Sequence, residues 1–145
     1  MTNDAWLQLA TSFIGSLGFG ILFNVRGRRL PASAVGGLLA WGLCLLLGKW
    51  ITAEALNYFI VSLSISFYAQ FIARILKTPA TPISITALIP LIPGSSLYYT
   101  MEAAFQGSSG AFVTKAVATL ELAAALALGI ILVSALSRLF PAVKN

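Results

Sequence analysis

Histidine is missing from this sequence, and cysteine occurs once, as Cys44. No disulfide can close within the chain, and no Cys/His metal site can be assembled. No nucleophile–base pair stands out, and "GSLGFG" at 15–20 lies inside an apolar run with no strand before it. An enzyme is therefore not expected, and neither a cofactor nor a bound metal is. Charge is the next scarcity. Charged residues make up 9% of the chain and hydrophobic ones 59%, against about 25% charged in ordinary soluble domains. So few charges cannot build a solvated surface. The mean hydropathy of +0.93 agrees, and lipid is the expected solvent for most of the molecule.

What charge there is leans basic, nine Lys and Arg against four Asp and Glu. The bases are thinly spread, so the excess is a topological signal and not a nucleic-acid patch. Cys44, inside "WGLCLLLG", is a small apolar filler. "ASA" at 32–34 resembles a signal-peptidase site, but Arg26, Arg28 and Arg29 follow the first apolar run instead of preceding it. That run is expected to stay as a membrane helix.

The expected architecture is all-α, one polytopic membrane helix bundle over residues 1–145. A spanning helix needs about 20 apolar residues. Candidate spans are residues 5–24, 32–50, 54–75, 83–106 and 111–139, with the fourth broken at Pro90–Gly94. Five spans gather Arg26, Arg28, Arg29, Arg74, Lys77, Arg138 and Lys144 on one side and leave Lys49 and Lys115 on the other. The positive-inside rule then puts the N-terminus outside and the C-terminus in the cytoplasm. A re-entrant fourth segment would even out that split. Small residues recur at helical spacing, Ser16 with Gly20, and Ala32, Gly36 and Ala40 with Gly37 beside them. Such rows let helices approach closely in lipid.

"SITALIPLIPGSSLYYTMEA" at 84–103 carries the most pointed question. Pro90 and Pro93 each remove a backbone donor, and Gly94 loosens the chain further. Unpaired backbone groups are costly in hydrocarbon and survive only in protein or beside a wet cavity. The expectation is two half-helices, about 83–89 and 95–106, with Ser95 or Ser96 capping the second. The positive end of that half-helix is a natural seat for a carboxylate. A plain proline kink is the alternative.

Ser62, Ser66 and Gln70 share one face of the third span and either line a path or hydrogen-bond between helices. Glu121, in "VATLELAAALALG", is an intramembrane carboxylate. Such groups are usually functional, so Glu121 is the proton-coupling candidate. The alternatives are contact with water near the outer interface or a basic partner. Thr114 shares its face, and Lys115 does not. Arg74 and Lys77 read as anchors that snorkel to the interface, with attraction of anions from the cytoplasm as the alternative.

"KTPATP" followed by "LIPLIPGSSLYY" resembles the second half of the threonine/serine exporter family. That family shows a basic-Thr-Pro element, then Pro-Leu-x-Pro-Gly, then a tyrosine. Here these are Lys77, Thr78 and Pro79, then Pro90, Leu91, Pro93 and Gly94, then Tyr98 and Tyr99. "FNVRGRRLPASAVGGLLAW" is similar to the family's first loop and second helix, and the likeness covers residues 10–140. The family occurs as one long chain or as two membrane proteins, and this chain resembles the small second component. The resemblance implies gradient-driven export of threonine, serine or related small carboxylates, jointly with a larger membrane subunit. Two five-span halves would form an inverted-repeat transporter.

Putting both readings together, the expected binding residues are Pro90, Pro93, Gly94, Ser95, Ser96, Tyr98, Ser66 and Gln70, with Glu121 for coupling. Expected partners are the larger subunit, a small anionic or zwitterionic substrate and the lipid bilayer of the bacterial inner membrane, with a homo-oligomer of the complex left open. The rivals are a non-transporting assembly subunit and a channel or lipid-handling protein.

Overall fold

The computed structural model describes residues 2–139, and side chains from Asp4 onward. Lys144 lies outside the described residues. Among those described there are six α-helices and no strand: α1 (Thr2–Leu22), α2 (Arg29–Leu47), α3 (Glu54–Leu76), α4 (Thr81–Leu88), α5 (Gly94–Phe105) and α6 (Ser109–Leu139), with a 3-10 turn, Ile89–Leu91, after α4. By length and composition α1, α2, α3 and α6 can each cross a membrane. The fourth expected span is not one helix. Its apolar part, Thr81–Leu91, is too short to cross alone.

Small residues set the packing. Ser16 of α1 is fully buried against Gly37 of α2. Gly20 faces Leu30, and Gly42 faces Leu9, so α1 and α2 run antiparallel. Gly36, one residue round the helix from Gly37, faces Ala87 of α4 and the ring of Tyr68 of α3. The row Ala32, Gly36, Ala40 is thus the seat of α4 and α3. The Tyr68 hydroxyl donates to the Ala32 carbonyl at 2.9 Å, and Ala40 joins Val61, Ile65, Ala87, Leu88 and Leu91 in the core. Lipid already matches apolar side chains, so this core gains chiefly from dispersion and close contact rather than from escaping water.

The bundle has two unlike ends. At one, the α1–α2 turn with Arg26, Arg28 and Arg29 meets the α3–α4 turn with Lys77. At the other, Asp4 of α1 shares a cavity with Lys49, next to the highly exposed Trp6 and Trp50. Tryptophans at such a level suit a membrane–water interface.

α6 runs parallel to α3. Gly129 packs on Ser62 and on the backbone of Phe59 and Leu63, while Ser137 lines a cavity with Arg74. Eight residues back along each helix, Glu121 falls level with Glu54, the first residue of α3. α6 has 31 residues, a length of about 46 Å against a hydrocarbon core of about 30 Å. Its surplus, residues 109–120, extends past the start of α3. There α5 packs back along it as a helical hairpin, turning at Gly107 with φ 69.

Candidate functional site

The interruption between α4 and α5 is built by its two prolines. Pro90 sits inside the 3-10 turn that ends α4. Ile92 is extended, with φ −60 and ψ 124. Pro93, at φ −75 and ψ 59, is the centre of an inverse γ-turn, with the Gly94 N–H donating to the Ile92 carbonyl at 2.7 Å. α5 then starts, the Leu97 N–H donating to the Pro93 carbonyl at 3.0 Å. The observed halves, 81–88 and 94–105, lie close to the expected ones.

Neither serine caps α5, however. The capping position belongs to Pro93, with no side-chain bond. Proline's carbonyl opens the helix, so Ser95 and Ser96 already lie in the first turn, beyond the place from which a side chain caps. Their amides precede the first bond of the helical ladder. Ser95 is exposed, and a Cβ at Gly94 would meet nothing within 4 Å. Ser96 is committed elsewhere. Its hydroxyl lies 2.7 Å from that of Thr119 on α6, which itself donates to the Lys115 carbonyl at 2.8 Å. Thr100 joins them, 3.1 Å from Thr119, and donates to the Ser96 carbonyl at 2.8 Å. This chain of hydroxyls fastens α5 to α6.

Leu91 is wholly buried in the core and pins the interruption there. The residues on either side of it open onto different cavities. Pro90 lines one of about 240 Å³ with Gln8, Ser12 and Trp41, between α1 and α2. Ile92 lines another of about 240 Å³ with Gln70, Ser84, Leu88, Leu126 and Ile130, between α3, α4 and α6. Gln70 also lines a third, of about 310 Å³, reaching Arg74 and Ser137. Along α3 and α6 two cavities thus follow one another from the interruption toward the arginine-bearing end, with Gln70 lining both. The walls near the interruption are mostly apolar. The Gln70 amide and the Ser84 hydroxyl offer both donors and acceptors.

The expected stripe on α3 divides by role. Ser62 is fully buried, donates to the Phe59 carbonyl at 2.9 Å, and receives Gly129 against its hydroxyl. Ser66 is buried, with no hydrogen-bond partner for its Oγ among the described residues. Only Gln70 reaches the cavities. Tyr98 stands apart from both, 66% exposed and edge-on to Tyr99 with ring centres 5.5 Å apart. The Lys115 ammonium lies 5.4 Å from the centre of the Tyr99 ring, a cation–π distance.

Glu121 is exposed on α6, at the level where α3 begins. Thr114 is exposed too, donating to the Gly110 carbonyl at 3.0 Å. The structure therefore brings Gln70 together with the interruption, and leaves Tyr98, Ser95 and Glu121 on outward faces. Thr119, Thr100 and Ser84 were not anticipated. The signal for the threonines was Thr100 one turn after Ser96, with Thr119 as a lone hydroxyl in an apolar run.

Searches of curated proteins and of solved structures return no match for this chain. The family described as Threonine/Serine exporter, ThrE, matches residues 8–136. That stretch takes in most of α1, all of α2 to α5 and most of α6, including the proline interruption and the cavities beside it. A multi-pass helical membrane protein with this match belongs to the threonine/serine exporter family.

Proposed function

We propose that this chain is the small membrane subunit of a secondary exporter for threonine, serine or related small carboxylates. It acts in the bacterial inner membrane with a larger partner and draws on the membrane gradient. The observation that carries this reading is the interruption at Ile89–Pro93, open on the Gln70 and Ser84 cavity, in a member of an exporter family. A substrate hydroxyl and ammonium would find the Gln70 amide and Ser84 hydroxyl. Its carboxylate would meet the free amides of Ser95 and Ser96 at the positive end of α5. Those amides lie on an open face, which the larger subunit would cover to complete the site.

We read the membrane crossing as five passes. The fourth consists of α4, the 3-10 turn and the γ-turn, with the N-terminus outside and the C-terminus cytoplasmic. Glu121, on the outward face of α6, would carry the coupled proton at the seam with the partner.

The test is efflux from cells loaded with a threonine-containing dipeptide, with the chain and its larger partner co-expressed. Export should need both chains, saturate with internal threonine, and fall at least tenfold in Glu121→Gln and in the double variant Pro93→Ala, Gly94→Ala. If the complex assembles and both variants export normally, the chain is an assembly subunit instead. Export that never saturates would indicate a channel.

A further inference from the structure

The arginine-bearing end of the bundle holds a cavity apart from the one proposed for export. Two tight turns build it. α1 closes with the Val25 N–H donating to the Gly20 carbonyl at 2.8 Å, past Asn24 at φ 58. α3 closes in the same way, the Thr78 N–H donating to the Ala73 carbonyl at 2.9 Å, past Lys77 at φ 51. Both turns put a non-glycine residue in the left-handed region, and in α3 that residue is a lysine. Together they set Arg26, Arg28, Arg29 and Lys77 around a cavity of about 370 Å³. α2 begins at Arg29, so the positive end of its dipole meets the same space.

Among the described residues no acidic side chain lies at this end. The four acids of the chain are Asp4, Glu54, Glu102 and Glu121. Asp4 shares its cavity with Lys49 at the opposite end. Glu54 opens α3 there, Glu121 is level with it, and Glu102 lies in the hairpin beyond. Ile75 and Leu76 form an apolar shoulder on the same cavity.

We infer that this cavity is a phosphate site, held by Arg28, Arg29 and Lys77. Guanidinium groups bind phosphate in paired hydrogen bonds, and lysine adds a point charge. The apolar shoulder suits the glycerol and first acyl carbons of a phospholipid in the adjacent leaflet. A soluble phosphate would satisfy the polar half alone.

The experiment titrates the purified full chain in detergent with short-chain phosphatidylglycerol, with short-chain phosphatidylcholine, and with inorganic phosphate. Phosphatidylglycerol should bind at least fivefold more tightly than phosphatidylcholine. Arg28→Gln and Lys77→Gln should each weaken it at least fivefold. Arg138→Gln removes a charge at the same end without touching the cavity and should leave binding within twofold. Competition by millimolar inorganic phosphate would assign the site to a soluble ligand, and its failure to compete would assign it to lipid. Equal losses in Arg138→Gln and Arg28→Gln would reduce the effect to diffuse attraction and overturn the site. Unaltered melting curves establish that each variant is folded.

Discussion

Gly129 shows how tightly one residue can govern contact between helices. A Cβ there would press on the Ser62 hydroxyl, the Leu63 nitrogen at 2.9 Å and the Phe59 oxygen at 3.0 Å. Two of these atoms are backbone and cannot move aside. Gly129→Val should therefore cost about 1–3 kcal/mol or more, read as a lower melting temperature in detergent. Gly18 is the counter-case. Nothing lies within 4 Å of its added Cβ, and it sits within α1. Gly18→Ala should gain about 0.5–1 kcal/mol by removing backbone freedom from the unfolded chain. Opposite shifts from two glycine replacements would verify the α3–α6 seam. Gln70 offers a functional contrast. It is half-buried between two cavities, with its amide free of the packing that occupies Ser62. Gln70→Leu should leave melting nearly unchanged while raising the apparent KM of export about tenfold, the loss of one or two hydrogen bonds to substrate.

At the scale of elements, the hairpin of α5 and the first third of α6 depends on its own bonds, because α5 packs on α6. Thr119→Val keeps the shape and deletes the hydroxyl that Ser96 and Thr100 both approach. The expected cost is about 1–2 kcal/mol. It should fall on α5 alone, with amide exchange faster by roughly five- to thirtyfold over 97–105 and unchanged in α3. Uniform acceleration would mean that α5 unfolds only with the bundle. The sequence was informative about elements wherever one residue decides locally. Pro90 and Pro93 forced the interruption within a few residues of its expected place, and Ala32, Gly36 and Ala40 marked a packing face. It was silent where the outcome depends on a neighbour's register. Nothing in "GSSLYYT" says that Ser96 turns to Thr119 instead of capping its own helix. Hydropathy could not tell that α6 overshoots α3, and so could not tell that Glu121 comes level with Glu54.

For the whole molecule, the open matter is parity, since four helices are long enough to cross and the interrupted segment is divided. The side on which the 106–108 turn emerges decides it. In a Cys44→Ala background, Ser108→Cys and Thr52→Cys should both react with an impermeant thiol reagent on intact cells, and Asn24→Cys only after permeabilisation. Labelling of Ser108→Cys together with Asn24→Cys would make the fourth segment re-entrant. The segregation of charge bears on more than orientation. With its carboxylates at or beyond one end and most cations at the other, the chain is a dipolar rod, and moving one unit charge across 100 mV changes its energy by about 2.3 kcal/mol. The positive-inside rule favours one orientation for such a rod over its inverse. In the proposed complex, a companion lying head to tail against it would be a different polypeptide with its own charge bias, and a cell would have to supply the two products together.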